Sequence, residues 1–190
     1  MISANDLKRD SVFILGGHPH KVLESSHMKK GRQGATVQLK LKNLVTGSII
    51  SKNVSSNERF EPADIEKMEL VFVYNHRGEY IFSNPNDKSN RINIKESDLG
   101  YEKEFLKGGL LVVAEYFDDK FIGIKLPIKI DYKVIDAPPN VKGNTAGGGT
   151  KTVTIETGAK IQTPLFIEEG DIIKINTEKG EYVERLKGNA

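Results

Sequence analysis

A strict alternation of apolar and polar residues, Val37-Gln38-Leu39-Lys40-Leu41-Lys42, places the strongest constraint on the fold of this 190-residue chain. Successive side chains of a β-strand point to opposite faces, so the apolar members of this run share one face and the polar members share the other. The run therefore predicts a strand that turns one face toward a core and presents a second, basic face.

The residues just before this strand form a cationic loop. Gly31 and Gly34 flank Arg32 and allow the chain to reverse tightly, so we expect the Arg32 side chain to project from the tip. One interpretation is a solvated hairpin whose charges protect a sheet edge from aggregation. The other is a surface that follows the phosphates of a nucleic acid, and the residues of the loop leave both open.

Positive charge is concentrated in the first third of the chain. Residues 1–64 contain 10 Lys and Arg against 6 Asp and Glu, whereas residues 65–130 contain 10 against 11 and residues 131–190 contain 8 against 9. Between Lys21 and Lys52, seven cations are opposed only by Glu24. Such a concentration favours a polyanionic partner through the release of counterions.

Short strand-like runs separated by turn residues recur along the chain and predict an all-β protein. The pattern breaks near residues 64 and 130, which predicts three small barrels at 1–64, 65–130 and 131–190, the second and third of the oligonucleotide-binding (OB) type. We expect one short helix around residues 98–106 and an exposed, Pro- and Gly-rich loop over residues 136–149. Predicted strands occupy residues 11–15, 20–26, 35–41, 49–54, 68–74, 79–83, 110–116, 121–126, 150–156, 159–164, 171–176 and 181–186.

Several classes of chemistry find no support in these residues. The chain has no cysteine, which excludes disulfides, thiolate zinc sites and cysteine nucleophiles. Its four histidines lack metal-ligand spacing and are expected at the surface, so no metal site is predicted. The acidic pairs Asp118-Asp119 and Glu168-Glu169 lie in predicted turns without a catalytic partner, and the glycines before Lys151 lack phosphate-loop spacing. We expect no enzymatic activity.

The N-terminal residues lack the apolar segment of a signal peptide, and no later run is long enough to span a bilayer. The expectation is a cytoplasmic protein that does not associate with a membrane.

Three blocks of sequence, taken in order, carry a resemblance to a known family. The first joins Lys30-Gly31-Arg32 to residues 40–47, the second is residues 137–145, and the third runs from Lys151 through residues 161–170 to residues 180–185. In this order the blocks resemble bacterial elongation factor P along the whole chain.

The resemblance implies an elongated, L-shaped protein of three barrels, the first SH3- or KOW-like and the other two OB-like. It implies a translation elongation factor that binds the ribosome beside peptidyl-tRNA and stimulates peptide bond formation, which relieves stalling at consecutive prolines. The implied partners are the ribosome, its rRNA and peptidyl-tRNA, and the protein itself is expected to be a monomer.

The resemblance also implies roles for individual residues. Arg32 occupies the position that is usually modified in this family, so it is expected to contact the acceptor end of the tRNA. In the arginine branch of the family, a rhamnosyltransferase attaches rhamnose to this residue, and no other cofactor is expected. The implied tRNA phosphate contacts are Lys29, Lys30, Gly31, Gln33, Lys40 and Lys42. Gly143, Asn144 and Thr145 would face the small subunit and mRNA, and Tyr182 and Arg185 would contact RNA.

Three other functions stay open at this point. An elongation-factor-P-like paralogue would share the architecture and act on other stalling sequences. A general RNA-binding module would bind RNA without a ribosome, weakly and with strong dependence on salt. A catalytic enzyme would require an acid, base, nucleophile or metal constellation that we do not find in the sequence.

Overall fold

The computed structural model describes residues 1–29, 35–139 and 149–186. Regular structure in these ranges is almost entirely β-strand, which confirms the predicted all-β class. The chain divides into two compact units, one of residues 1–67 and 115–123 and the other of residues 68–114 and 124–190. The three-domain division at residues 64 and 130 stays a prediction.

The first unit contains a four-stranded antiparallel sheet, ordered β2-β3-β4-β5, and a two-stranded pair of β1 with β6. Its strands are β1 (Ile2–Ser3), β2 (Val12–Leu15), β3 (His18–Lys29), β4 (Ala35–Asn43), β5 (Ile49–Ser55) and β6 (Arg59–Phe60).

Strand β4 shows the alternation that its sequence predicts. Val37, Leu39 and Leu41 are fully buried, whereas the three polar residues that alternate with them are exposed. The buried residues join a core in which the rings of Phe13 and Phe60 lie 4.6 Å apart between centroids. Because burial of each such side chain is worth roughly 1.5–3 kcal/mol, the core determines which face of β4 turns inward.

Two five-stranded sheets follow along the chain. The middle sheet has the order β11-β10-β7-β8-β9 and the last sheet has the order β14-β13-β12-β15-β16. The middle strands are β7 (Glu66–His76), β8 (Glu79–Ser83), β9 (Arg91–Lys95), β10 (Leu111–Phe117) and β11 (Lys120–Lys125). The last strands are β12 (Lys129–Asp136), β13 (Thr150–Ile155), β14 (Lys160–Pro164), β15 (Ile172–Asn176) and β16 (Glu181–Leu186).

Two hairpins of the middle sheet close with tight two-residue turns at predicted turn positions. Arg77 and Gly78 join β7 to β8 with φ values of 50° and 78°, and Asp118 and Asp119 join β10 to β11 with values of 48° and 60°. Left-handed backbone at both central positions matches the twist of the flanking strands, as in type I′ turns. Gly, Asp and polar residues tolerate this region better than β-branched residues do.

A short helix lies within residues 98–106, as predicted, but it is a 3₁₀ helix that covers only Tyr101–Phe105, and a separate 3₁₀ helix covers Glu96–Asp98. Between the two, Gly100 has an extended backbone with φ −87° and ψ −150°. Leu99 and Leu106, which follow the two helices, are also extended, so each helix ends after about one turn.

Four strands were not predicted: the two-residue strands β1 and β6, and the longer strands β9 and β12. Strand β9 alternates as Arg91-Ile92-Asn93-Ile94-Lys95 but lies within a long polar segment that hides its short pattern. Strand β12 pairs with both β13 and β15 and is the central strand of the last sheet. It begins at Lys129, so the predicted boundary after residue 130 falls inside this strand.

Hydrogen bonds with β12 hold the end of the second 3₁₀ helix and the residues that follow it. The Tyr132 hydroxyl donates to the backbone carbonyl of Phe105 at 2.6 Å, and both side chains belong to the buried cluster of the last sheet. The Lys107 ammonium donates to the Asp131 carbonyl at 2.6 Å and to Glu156 at 3.1 Å. Burial raises the pKa of the Tyr132 phenol, and the Glu156 charge adds to this effect.

We predict that Tyr132→Phe lowers the free energy of unfolding by about 1–3 kcal/mol at pH 8, because it leaves the buried Phe105 carbonyl without a donor. The unfolded chain ionises its tyrosine above about pH 10, while the folded state keeps Tyr132 neutral. The advantage of the parent over Tyr132→Phe should therefore shrink by about 1.4 kcal/mol per pH unit above that value.

Urea unfolding at a series of pH values measures this difference. The matched control is Tyr74→Phe, since Tyr74 is 53% exposed and should lose no stability when its hydroxyl is removed. The prediction would be contradicted if the free energies of unfolding of the parent and Tyr132→Phe differed by the same amount from pH 8 to 11.

Candidate nucleic-acid interface

The β3–β4 hairpin supports the predicted cationic loop. Its strands pair in register from His20 opposite Asn43 to Lys29 opposite Ala35, with β5 paired along the other side of β4. The predicted tip residues Lys30, Gly31, Arg32 and Gln33 lie outside the described residues, in the segment that follows Lys29. The described part of the hairpin is therefore a continuous antiparallel ladder that leads to that segment.

The exposed face of this hairpin, called here the basic face, is built by cross-strand pairs. Lys21 lies opposite Lys42, Glu24 opposite Lys40, and Ser26 opposite Gln38. Residues directly opposite each other in an antiparallel pair share a face. The pairing shifts between Val22 and Glu24, where β3 contains one extra residue, Leu23. Such a bulge changes the alternation on one strand only, so Lys21 and Glu24 both reach the basic face.

Two lysines of the basic face have acidic partners. The Lys40 ammonium lies 3.1 Å from Glu24, and the Lys21 ammonium lies 2.7 Å from Asp10. Lys42 forms no ion pair with any residue in the described ranges. Exposed ion pairs contribute only about 0.2–1 kcal/mol, so a phosphate can replace Glu24 as the partner of Lys40 at small cost.

The structure refines the predicted distribution of charge. Asp10 is distant from Lys21 in sequence and was not expected to offset it, but the pairing of β2 with β3 brings the two together. Lys52 pairs in register with Leu39 and is half-buried, so it lies on the opposite face of the sheet from Lys40 and Lys42. The strand register thus places Lys52 on the opposite face from Lys40 and Lys42, although all three belong to the same basic stretch of sequence.

The predicted contacts in the last sheet are already engaged with neighbouring residues. Tyr182 is half-buried and packs against the core cluster of that sheet. The Arg185 guanidinium lies 5.2 Å from the ring centroid of Phe166 and 3.4 Å from a carboxylate oxygen of Asp171. Their roles as RNA contacts stay predictions.

The predicted loop residues Gly143, Asn144 and Thr145 lie outside the described residues. Just before them, the carbonyl of Pro138 accepts a hydrogen bond of 2.9 Å from the Lys151 ammonium. Lys151 therefore connects strand β13 to the beginning of this segment, a contact that the sequence blocks did not indicate.

All four histidines were expected at the surface, and the expectation is wrong for His20. His20 is only 5% exposed, and its Nδ1 lies 2.9 Å from the His18 carbonyl oxygen. It is buried because it lies on strand β3 opposite Phe13 and the buried Asn43. Over the parts of the chain that the structure describes, no three histidine or acidic side chains group in a way that could hold a metal ion. In the same ranges, no helix has the length and apolar character needed to cross a membrane.

The chain matches sequence models of one family over two regions. Residues 3–60 match the elongation factor P (EF-P) KOW-like domain, and residues 130–185 match the elongation factor P C-terminal domain. The first match agrees with the KOW-like barrel predicted for the N-terminal region.

Proteins named elongation factor P are similar to this chain along nearly its whole length. The protein of Metamycoplasma arthritidis is 42% identical over 185 residues, which cover 97% of this chain and 100% of the relative. The protein of Hydrogenobaculum sp. is 40% identical over 185 residues, covering 97% and 95% of the two chains. That of Moorella thermoacetica is 36% identical over 185 residues, covering 97% and 100%.

A solved structure, the eukaryotic translation initiation factor 5A from Methanococcus jannaschii, aligns with 66% of this chain and 93% of its own at 13% identity and a TM-score of 0.49. The family assignment follows from the sequence matches alone. The chain belongs to the elongation factor P family and is a translation elongation factor.

Proposed function

We propose that the protein binds the ribosome beside peptidyl-tRNA and stimulates peptide bond formation, relieving stalling at consecutive prolines. The observation that supports this most directly is the basic face, which runs along the β3–β4 ladder toward the segment that contains Arg32. Family membership supplies the ribosomal setting, and the ladder supplies a surface suited to a phosphate backbone.

The basic face would hold the tRNA by its phosphates. Such contacts position a protein on a nucleic acid but do not read its sequence, which suits a factor that must accept many tRNAs. Their contribution depends on salt because each neutralised phosphate releases counterions. The proposed contacts are Lys29, Lys30, Gly31, Gln33, Lys40 and Lys42.

Arg32 would then contact the acceptor end of the peptidyl-tRNA. Its guanidinium is planar and permanently charged, so it can hold a phosphate or base edge in one orientation. The proline ring restricts backbone geometry, and a factor that holds the substrate in a productive pose lowers the entropic part of the barrier. Each tenfold gain in rate requires about 1.4 kcal/mol of such stabilisation. The bond chemistry would belong to the ribosome, so the protein would not be an enzyme.

The remaining predicted residues would extend the contact with the ribosome. Gly143, Asn144 and Thr145 would face the small subunit and mRNA, and Tyr182 and Arg185 would lie near rRNA. The protein would act as a monomer in the cytoplasm.

Replacing Arg32 tests the role of the tip. We expect Arg32→Ala to keep the circular-dichroism spectrum and unfolding midpoint of the parent, because the substitution changes none of the paired residues in strands His18–Lys29 and Ala35–Asn43. In a reconstituted translation system, the variant should no longer accelerate synthesis through Pro-Pro-Pro. Undiminished relief of stalling by Arg32→Ala would contradict the proposed function.

We further propose that Arg32 carries a rhamnose adduct, attached by an arginine rhamnosyltransferase, which extends the reach of the side chain. The intact mass of the protein purified from its native cells should then exceed the sequence mass by one deoxyhexose residue. Fragmentation should place the increase on Arg32, and Arg32→Lys expressed in the same cells should lack it. An unshifted mass would contradict this proposal.

Two lysines on opposite faces of one sheet test the basic face itself. We expect Lys42→Gln to weaken binding to ribosomes that carry peptidyl-tRNA, and to reduce the salt slope of log K by about 0.7–0.9, as for the loss of one phosphate contact. Lys52→Gln removes the same charge from the other face and should leave the slope unchanged. Equal effects of the two substitutions would show that net charge, not the basic face, governs binding.

A further inference from the structure

A second surface, called here the middle face, lies on strands β7, β8 and β9. Its residues on the outer strands β7 and β9 are exposed, whereas Ile81 and Ser83 on the strand between them are buried. Tyr74 lies opposite Ile81, and Ile81 lies opposite Asn93. Likewise His76, Glu79 and Lys95 form a cross-strand row, and Ser83 lies opposite Arg91. Since residues opposite each other share a face, these rows lie side by side on one surface, with Phe72, Phe82 and Ile94 buried on the other.

The middle face is positively charged although its part of the chain is not. Residues 65–130 contain one more acid than base, yet Arg91 and Lys95 are exposed here and Arg77 is exposed in the adjoining turn. None of the three forms an ion pair with a residue in the described ranges. The acid within these rows, Glu79, accepts a hydrogen bond of 3.3 Å from the Asn93 amide.

An exposed aromatic side chain, Tyr74, lies on the same face as Arg91 and Lys95, with strand β8 between them. Tyr74 is 53% exposed, whereas its cross-strand neighbour Ile81 is 8% exposed. The Tyr74 ring therefore offers a flat, solvent-exposed surface beside the buried Ile81 side chain. Aromatic rings interleaved with cations are the features that bind single-stranded nucleic acids, by base stacking and phosphate contact.

The spacing of the cations favours a strand of RNA over an isolated phosphate. Arg91 and Lys95 are four residues apart on β9, which places them about 13 Å apart along the strand. That separation exceeds the size of one phosphate and requires a ligand with charges at several points. A duplex would offer such charges but would not expose base faces to Tyr74.

We propose that the middle face binds a short single-stranded RNA segment, with a base stacked on Tyr74 and phosphates held by Arg91 and Lys95. This inference rests on the proposed function, which supplies an RNA-containing assembly as the partner. Its residues lie outside the Arg32 loop, the basic face and the last sheet.

The test uses the full-length protein and fluorescein-labelled octauridylate at about 50 mM salt. Tyr74→Ala should weaken binding at the middle face by about fivefold or more, and Tyr74→Phe, which keeps the ring, should restore it. Arg91→Gln combined with Lys95→Gln should reduce the salt slope by about 1.4, as for two single-strand phosphate contacts. Lys129→Gln with Lys133→Gln is the matched control, because it removes two exposed cations four residues apart on β12.

Cross-linking locates the bound RNA and separates the middle face from the basic face. Octauridylate that contains 4-thiouridine should cross-link to peptides within residues 74–95, and Arg32→Ala should leave these cross-links unchanged. Cross-links confined to residues 21–42, equal losses in the control pair, or preference for an RNA duplex would each overturn the inference. Stall relief by the Arg32 variant is measured in a separate assay. Loss of the RNA-binding result at the middle face would therefore leave the proposed function standing, and undiminished stall relief by Arg32→Ala would contradict the proposed function without bearing on the middle face.

Discussion

The antiparallel pairing of β3 with β4 is the constraint on which the proposed interface depends. In a strand the side-chain period is two, so a shift of one residue in this pairing would move every lysine of β4 to the other face. The buried face, with Val37, Leu39 and Leu41, prevents such a shift because it would expose three core residues to water. The apolar core therefore determines where the charges point.

Charge on the basic face is moderated within the protein. Lys21 and Lys42 lie directly opposite each other, an arrangement that is unfavourable for like charges, and Asp10 offsets the first of them. Glu24 does the same for Lys40. Both acids reduce self-repulsion in the free protein but hold their lysines weakly, because the pairs are exposed to solvent and screened by salt. The surface remains able to bind phosphate.

Strand β12 has the corresponding role in the second unit. It lies between β13 and β15, and its residues Ile130, Tyr132 and Val134 point into the buried cluster. Tyr132 and the backbone of Asp131 bind the segment Phe105 to Lys107. A buried carbonyl without a donor is costly, so the Tyr132 hydroxyl stabilises this segment more than a solvent-exposed hydroxyl would. The segment is thus held by a strand that was not predicted, although its residues alternate between buried and exposed.

Local pattern in the sequence was enough to predict the all-β class, the inward and outward faces of β4, and the turns at Gly78 and Asp118-Asp119, because period-two alternation and turn propensity act between near neighbours. It failed at β9, whose short pattern lies in polar surroundings, and at β12, whose alternating run is divided by the predicted boundary after residue 130. It also predicted too long a helix at residues 98–106, where the 3₁₀ helix begins only after the extended Gly100. Tertiary structure alone decided that Asp10 meets Lys21, that Lys52 faces away from Lys42 and that His20 is buried. It also decided that Tyr74 shares one face of a sheet with Arg91 and Lys95. Each of these depends on strand register between distant segments, and register is set by how the whole core packs.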